Sequence, residues 1–437
     1  MRVYIKTYGC TLNQADSDLM ANLLKESGAS VVDSEAAADT VVVNTCTVKT
    51  PTEQKILNVI GKLEKSGKRI VVAGCMAGAN QDLIEKYAPG ASILTTSNVD
   101  KIAESVSQAA SGGRTVFNDY NRADKLILFR NTHKDAFGDS VIAKVPVSEG
   151  CLSSCRFCET KFARGPLNSF SEELIVNAVA LSVRRGAKEI QLTSQDMGAY
   201  GLDRKTDIAA LMEKLAGIEG DFKIRVGMLN PEHLGKYLDR FIEALKSDRF
   251  YKFAHLPVQS GSNKVLREMK RMYTIEQFDE YVARLRAEIP RITIETDVIV
   301  GYPTETEEDF EQTLGFIRRI RPEVVNRCKF WSRPHAAASS LEQLPNRTIE
   351  ARSASFTRTV RQVQQNNNDA FVGQTFNVII TEKEERSLNA RADNYKKVII
   401  KKGASNAPLG SRVRVKIGSA SSNVLYGMPI ETSKIVA

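Results

Sequence analysis

Six of the seven cysteines in this 437-residue chain fall into two groups of three, and their spacing indicates metal binding. The second group, Cys151, Cys155 and Cys158, lies within one short segment in a Cys-x3-Cys-x2-Cys pattern. Soft thiolate ligands select zinc or iron-sulfur centres. Structural zinc usually takes four protein ligands, and no fourth is close in the sequence, so the spacing favours an iron-sulfur cluster over zinc. Three ligands on a four-iron cluster leave one iron open to a substrate or cofactor.

The first group, Cys10, Cys46 and Cys75, recurs at the same position in three successive units. Each cysteine follows a short apolar β-branched run, at 3–8, 40–44 and 70–73, and the helical patterns that come next are at 16–26, 52–65 and 81–87. This alternation predicts a parallel sheet with right-handed crossovers. Open α/β folds place ligands at the carboxyl ends of such strands, so we expect the three thiols to meet at a second metal site. Each cysteine alone could instead be a small core residue.

A second series of strand and helix patterns fills the middle of the chain. The strands are predicted at 141–147, 189–193, 223–228, 252–257, 293–300 and 324–330, and the helices at 171–185, 208–215, 234–246, 274–288 and 307–320. Six such units predict a partial (β/α)6 barrel, with functional groups on the loops that follow the strands. The polar candidates there are Gln195 and Asp196 after the second strand, Arg225 on the third, and Gln259 and Ser260 after the fourth.

Composition excludes several classes of protein. Seven cysteines are too few for a disulfide scaffold in a chain of this length, and an odd number cannot all pair within it. We therefore expect them to be reduced thiols. No apolar run approaches the ~20 residues of a membrane span, and charges interrupt the first residues where a signal peptide would be apolar. We therefore expect a cytoplasmic protein without a membrane partner. The net charge of +9 permits a polyanionic partner.

The surplus of positive charge is concentrated at the C-terminus. Residues 371–437 hold 11 Lys and Arg against 5 Asp and Glu, and alternating patterns at 376–381, 398–401 and 412–417 predict a small β-barrel. Tyr395 and Tyr426 are candidate stacking platforms for RNA bases. The cations that could follow a phosphate backbone are Lys383, Arg386, Arg391, Lys396, Lys397, Lys401, Lys402, Arg412, Arg414 and Lys416. A solvated charged face is the alternative.

The three-cysteine loop after the first barrel strand resembles the signature of the radical S-adenosylmethionine superfamily. The preceding three-cysteine domain narrows the resemblance to the methylthiotransferases, and segment 371–431 resembles the TRAM RNA-binding domain. The shared motifs are TYGCTLNQADS at 7–17, NTCTV at 44–48, AGC at 73–75, HLPVQSGS at 255–262 and DVIVGYP at 297–303. Two further segments, CETKFARG at 158–165 and LTSQDMGAYG at 192–201, look like the archaeal and eukaryotic branch that acts on N6-threonylcarbamoyladenosine in tRNA.

The resemblance implies two [4Fe-4S] clusters with different tasks. Cys151, Cys155 and Cys158 would hold the cluster that cleaves S-adenosylmethionine to a 5′-deoxyadenosyl radical. Cys10, Cys46 and Cys75 would hold an auxiliary cluster that carries sulfur. One S-adenosylmethionine would donate the methyl group and another the radical. The product would be a 2-methylthio group at position 37, in the anticodon region of tRNA. A ferredoxin- or flavodoxin-type electron donor and a sulfur source complete the implied partners.

Individual roles follow as expectations from this resemblance. Arg225 would pair with the methionine carboxylate, because a guanidinium suits carboxylate geometry. Gln195 or Asp196 would contact ribose or substrate, and Gln259 and Ser260 would also help to hold the cofactor. Asn13 is expected beside the auxiliary cluster because it is close to Cys10 in the sequence. The leftover Cys328 is expected in the core, because cysteine is often buried.

Three domains are expected, at 1–113, 137–366 and 369–432. The sequence departs from the family at 333–338, which reads RPHAAA instead of the usual RPGTPAA, so substrate contacts there stay open. The acceptor could also be isopentenyladenosine in tRNA or an aspartate of a ribosomal protein. An alternative of another class is a non-catalytic RNA-binding protein that holds zinc or iron-sulfur centres.

Overall fold

The structure is a computed structural model that describes residues 1–48, 50–120, 125–131 and 140–431. The expected start of the central domain at 137 and the expected end of the C-terminal domain at 432 lie outside these residues. Among the described residues, the chain forms a parallel sheet, an open barrel and a closed barrel, in that order. No helix in these ranges is long and apolar enough to cross a membrane.

The N-terminal region is a six-stranded sheet in which all strand pairs are parallel, as predicted. Its central strand, Thr40–Thr45, is buried throughout, which explains its continuous β-branched run. The other strands are Arg2–Thr7, Ser30–Val31, Arg69–Gly74, Ser92–Leu94 and Val116–Phe117. The helices are Thr11–Glu26, Thr50–Lys65, Cys75–Ala79, Gln81–Tyr87 and Ile102–Ala110, with a 3₁₀ helix at Thr96–Lys101.

The central region contains the six predicted barrel strands, in two three-stranded parallel sheets. The strands are Ile142–Pro146, Glu189–Thr193, Lys223–Arg225, Phe253–His255, Thr293–Val300 and Val324–Lys329. The helices are Thr160–Arg164, Glu172–Arg184, Ile208–Ala216, Pro231–Leu234, Leu238–Lys246, Asn263–Glu268, Ile275–Glu288 and Glu307–Ile320. A β-bridge between Ile224 and Phe250 joins the two sheets, so the strands form an open, partial barrel.

Short elements complete the central region. Strands Ser148–Glu149 and Asn168–Ser169 pair antiparallel and bracket the cysteine loop. Three further 3₁₀ helices are Lys125–Asn131, Met197–Ala199 and Ala337–Ser340. The third and fourth barrel strands are shorter than predicted, because regular hydrogen bonding between strands stops at Arg225 and His255. Beyond the third strand, Leu229 N still donates one hydrogen bond to His255 O.

A 24-residue helix, Asn346–Asp369, connects the barrel to the C-terminal region and was not predicted. Its buried apolar residues Phe356, Val360 and Val363 follow helical spacing. Because most of the other residues of this helix are polar, the apolar pattern was too weak to predict the helix from the sequence. The C-terminal region is the predicted small barrel, closed by five strands. These are Thr375–Lys383, Ser387–Ala392, Lys397–Lys401, Arg412–Ala420 and Leu425–Glu431.

The turn at 393–396 packs the small barrel against the open barrel, and this corrects part of the predicted RNA surface. Tyr395 points inward: its ring centroid lies 4.8 Å from that of Phe253, and its hydroxyl donates to Glu189 Oε1 at 3.2 Å. Lys396 is buried and donates to Glu323 O and Asn368 Oδ1 at 2.9 and 2.8 Å. Neither side chain can therefore meet a bound RNA.

Candidate metal sites and the cavity between them

The three N-terminal cysteines lie at the carboxyl ends of neighbouring strands, where the sheet order brings them together. Cys10 caps helix Thr11–Glu26, Cys46 follows the central strand, and Cys75 begins helix Cys75–Ala79. Asn13 Oδ1 lies 3.9 Å from the sulfur of Cys10 and 3.4 Å from that of Cys75. Gly9 has a φ of +106°, and a Cβ there would lie 3.0 Å from that of Cys46. The approach of these loops therefore requires glycine.

A buried guanidinium connects this site to the central domain. Arg164 has no exposed side-chain surface, and its Nε donates to the Cys75 sulfur at 3.3 Å. Its other nitrogens donate to Asn13 Oδ1 at 2.6 Å, to Asp16 Oδ2 at 2.8 Å and to both carboxylate oxygens of Glu149 at 3.0 Å. The sequence offered no local sign of this contact, because Arg164 and Cys75 are 89 positions apart.

Lys125 completes the buried network around Arg164. Its ammonium lies 3.1 Å from Asp16 Oδ1 and 2.6 Å from Glu149 Oε1, so two cations face two carboxylates. Burial acts to raise the pKa of Asp16, but Lys125 and Arg164 together hold that pKa below its ordinary value. Asp16 is therefore charged, and both carboxylates are paired with cations inside the protein.

The second cysteine group forms a compact loop after strand Ile142–Pro146. Cys158 N donates to Cys155 O at 3.2 Å, which folds the loop back on itself. Arg271, which is buried, lies with Nη1 3.5 Å from the Cys155 sulfur and Nη2 3.0 Å from Pro257 O. Each cysteine site thus has one buried arginine that donates to a sulfur.

The donor sets suit metal clusters. Burial raises the pKa of Cys75 and of Cys151 to about 12, so these thiols stay protonated unless a metal displaces the proton. Three soft sulfur donors per site, with cationic N–H groups beside them, match the ligand chemistry of an iron-sulfur cluster. The N-terminal site and the loop site therefore both fit the cluster that the sequence predicted for them.

A polar cluster, of which the sequence indicated only Asp196, supports the loop. Asp196 Oδ1 accepts hydrogen bonds from the backbone of Gly198 and Asn230 at 2.8 and 2.9 Å. Asn230 Nδ2 donates to Ser153 Oγ, inside the cysteine loop, at 3.0 Å. His233 lies 3.3 Å from the same hydroxyl and 3.6 Å from Asp196 Oδ2. Burial raises the pKa of Asp196. The Asn-Pro pair at 230–231, which starts a helix, was a signal for this cluster.

The other predicted cofactor residues lie in different surroundings. Gln195 is half-buried, and its Oε1 has no hydrogen-bond partner within the described ranges. Gln259 has a φ of 70°, an unusual value for a non-glycine residue, and it lines a cavity described below. Ser260 is buried, and its hydroxyl lies 3.4 Å from Thr313 Oγ1 on a barrel helix.

Arg225 is half-buried at the end of the third barrel strand. Its guanidinium carbon is 5.4 Å from the ring centroid of Phe253 and 5.9 Å from that of Tyr395. Tyr395 reaches it from the C-terminal domain. The pairing of Arg225 with a methionine carboxylate stays a prediction.

A cavity of about 610 Å³ lies between the two cysteine sites, a volume typical of small-molecule sites. Thr47 and Val48, next to Cys46, line one part, and Cys158 of the loop lines another. The last barrel strand and the long helix form the remaining wall. Cys328 lines this cavity and is half-buried, so the expectation that it belongs to the core is wrong. Four basic and two acidic residues line the cavity: Arg327, Lys329, Arg333, Arg361, Glu159 and Asp297.

Three family models match the chain in the order of the structural regions. Residues 2–96 match the model described as Uncharacterized protein family UPF0004, residues 145–317 the Radical SAM superfamily, and residues 369–430 the TRAM domain. The chain is similar in fold to the radical S-adenosylmethionine methyltransferase TsrM from Kitasatospora setae. That similarity has a TM-score of 0.56 at 12% identity and covers 77% of this chain and 76% of TsrM.

Curated relatives match over nearly the full length. Proteins named "Probable threonylcarbamoyladenosine tRNA methylthiotransferase" from Pyrococcus horikoshii and Archaeoglobus fulgidus are 39% and 40% identical, over 98% of this chain and 99% and 98% of theirs. The Xenopus laevis protein named "Threonylcarbamoyladenosine tRNA methylthiotransferase" is 33% identical, over 99% of this chain and 78% of its own length. With the two cysteine sites, the cavity between them and these full-length matches, the chain belongs to the threonylcarbamoyladenosine tRNA methylthiotransferase family.

Proposed function

We propose that this protein is an enzyme that adds a 2-methylthio group to N6-threonylcarbamoyladenosine at position 37 of tRNA. The observation that carries the proposal is the cavity shared by the two cysteine sites. Residues next to Cys46 and Cys158 itself line this one space of about 610 Å³. A base held there would be within reach of both sites, as a reaction that uses two clusters requires.

The residues that would hold the clusters are Cys10, Cys46 and Cys75 at one site and Cys151, Cys155 and Cys158 at the other. When bound, the clusters and S-adenosylmethionine supply the radical chemistry that an unactivated C–H bond requires. The protein's own contribution is positioning: Arg164 and Arg271 donate to ligand sulfurs, and Asn230 holds the cysteine loop through Ser153. Such outer contacts orient metal ligands and tune the metal.

The other residues proposed for S-adenosylmethionine are Gln195, Asp196, Arg225, Gln259 and Ser260. Asp196 belongs to the polar cluster beneath the cysteine loop, and Gln259 lines the cavity. We propose domains at 1–113, 137–366 and 369–432, with electrons from a ferredoxin- or flavodoxin-type donor and sulfur from a separate source. We also propose a cytoplasmic location, which is compatible with a tRNA substrate.

One face of the small barrel would hold the tRNA backbone. Arg414 and Lys416 point outward from strand Arg412–Ala420, and Tyr426 and Met428 point outward from its neighbour. Lys416 pairs directly with Met428 across the two strands. This combination of cations and an exposed aromatic ring suits single-stranded RNA.

The test combines iron content with product analysis. Anaerobically reconstituted protein should hold about eight irons per chain, as expected for two four-iron clusters. With S-adenosylmethionine, a reductant and sulfide, it should convert threonylcarbamoyladenosine in tRNA to its 2-methylthio form, as measured by nucleoside mass spectrometry. Cys46→Ser and Cys158→Ser should each abolish the product and lower the iron content, whereas Cys328→Ser should retain the iron.

Other outcomes separate the alternatives. Stoichiometric zinc without cleavage of S-adenosylmethionine would establish the non-catalytic RNA-binding protein. Methylthiolation of isopentenyladenosine in tRNA, or of a ribosomal-protein aspartate, with threonylcarbamoyladenosine left unchanged, would reassign the acceptor.

A further inference from the structure

We propose that Arg333 binds the carboxylate of the substrate's threonylcarbamoyl group. The inference rests on the proposed function and adds a specificity-determining contact to it. Arg333 follows the last barrel strand and lines the cavity between the two cysteine sites. It is the first residue of the RPHAAA segment, which matches the family pattern at Arg333 and Pro334 and departs from it from His335 onward.

Arg333 is buried but only partly satisfied. Its side chain is 4% exposed, and Nη1 forms an ion pair with Glu53 Oε2 of the N-terminal domain at 2.5 Å. The remaining two nitrogens, Nε and Nη2, have no hydrogen-bond partner within the described part of the chain. Buried donors on a charged group are costly to leave unpaired, so this arrangement indicates that an acceptor from outside the chain occupies the position.

The two free nitrogens identify the chemistry of that acceptor. Nε–H and Nη2–H point from the same edge of the planar guanidinium, in parallel. That edge matches the two oxygens of a carboxylate, and such paired contacts are among the strong hydrogen bonds of proteins. The Glu53 contact holds the guanidinium from its other side, so the edge is oriented before a ligand arrives.

Other cations on the cavity wall are less suited to this task. Arg327 already contacts Ser353, and Lys329 contacts Glu350. Arg361 is exposed on the long helix, where water screens its charge. Arg333 is the buried member of the four, and a buried carboxylate needs a buried cation.

The proposed substrate is the source of such a carboxylate. Adenosine itself carries no carboxylate on its base. The threonine part of threonylcarbamoyladenosine ends in a carboxylate, attached through the exocyclic nitrogen of the ring. A base oriented between the two cysteine sites would therefore bring a carboxylate into the same cavity as Arg333.

The experiment measures the affinity of the full-length protein for two anticodon stem-loop RNAs, one with threonylcarbamoyladenosine at position 37 and one with plain adenosine. Wild type should prefer the modified RNA. Arg333→Gln should weaken binding of the modified RNA by about ten- to a hundredfold and leave the unmodified RNA unchanged. Arg333→Lys, which keeps the charge but loses the planar edge, should recover only part of the preference.

Two matched variants complete the design. Arg361→Gln, on the same wall, should affect both RNAs equally, and Glu53→Gln should retain a preference for the modified RNA because the guanidinium edge stays. Equal effects of Arg333→Gln on both RNAs, or none on either, would overturn the inference. Loss of the preference in Arg361→Gln alone would also overturn it. If wild type neither prefers nor modifies the modified RNA, the proposed function itself fails.

Discussion

At the scale of single residues, each cysteine site is completed by a buried arginine. Arg164 donates to Cys75 and Arg271 to Cys155, and both guanidiniums are also bonded to oxygens that fix their orientation. In a low-dielectric interior a fixed cation beside a sulfur ligand favours the anionic form of that sulfur. The same burial makes each arginine sensitive to substitution.

Arg164→Met should lower the free energy of unfolding by about 3–5 kcal/mol, because Asp16 and Glu149 would keep only Lys125 as a buried counter-charge. Chemical denaturation of the protein without added metal measures this change. Arg114→Met is the matched control, since Arg114 pairs with Glu85 at the surface and should contribute less than about 1 kcal/mol. Equal effects of the two substitutions would contradict the buried network.

His255 should make stability depend on pH. Burial acts to lower the pKa of His255, but the carboxylates of Asp297 at 3.0 Å and Glu295 at 3.8 Å raise it by more than burial lowers it. The pKa of His255 in the folded state therefore lies above the ordinary value. The stabilisation is therefore fully present below the unfolded-state pKa of about 6.5 and is lost as pH rises through the folded-state pKa. The stability difference between wild type and His255→Gln should be larger at pH 5.5 than at pH 9. A constant difference in denaturant midpoint across this range would argue against the paired imidazolium.

At the scale of elements, one turn of the small barrel joins two domains. Tyr395, with φ of 64°, contacts Tyr251 and Phe253 of the open barrel and donates to Glu189. The turn therefore serves as a packing element, although its aromatic and basic composition resembles that of an RNA-binding loop.

Tyr395→Ala should destabilise the protein by about 3–5 kcal/mol, because it removes an aromatic ring that packs against Tyr251 and Phe253, together with its hydrogen bond. Tyr426→Ala is the control on the exposed strand of the same barrel, where its side chain is 42% exposed. It should change stability by less than about 0.5 kcal/mol and weaken tRNA binding. If Tyr395→Ala weakened tRNA binding without loss of stability, and Tyr426→Ala lowered stability instead, Tyr395 would be the residue that faces the RNA.

At the scale of the whole molecule, all three regions contribute residues to the cavity, and the small barrel also carries the basic face proposed for tRNA. The cavity draws its walls from the N-terminal domain, the open barrel, the long helix and, at Asn423, the small barrel. A tRNA held by the outer face of the small barrel could thus present one base to that cavity. Binding should then depend strongly on salt, as phosphate contacts do.

Arg414→Ala and Lys416→Ala should each weaken tRNA binding and reduce the slope of log affinity against log salt by about 1, with no change in unfolding. Arg319→Ala is the control, because Arg319 is an exposed cation of the open barrel paired with Asp279. A slope that changes as much in Arg319→Ala would indicate non-specific attraction rather than a binding face.

The sequence by itself determined the elements and the cysteine groups. Apolar β-branched runs and helical patterns report local structure, so the parallel sheet, the six barrel strands and the small barrel were predictable. Helix Asn346–Asp369, with its sparse apolar positions, and the short N-terminal elements Ser92–Leu94, Ile102–Ala110 and Val116–Phe117 were not predicted. Cysteines at three equivalent strand ends predicted one site, and the Cys-x3-Cys-x2-Cys spacing within one loop predicted the other, without any knowledge of packing.

Only the tertiary structure decided which charged and aromatic side chains serve those sites. Arg164 meets Cys75 across 89 positions, Tyr395 meets Glu189 across 206, and Arg333 meets Glu53 across 280. No local periodicity encodes such pairs, because they arise when separately folded elements pack together. The residue types of Tyr395 and Lys396 predicted contact with RNA, whereas packing turned Tyr395 onto the open barrel and buried Lys396. Packing also left Arg333 with an unsatisfied edge beside the cavity.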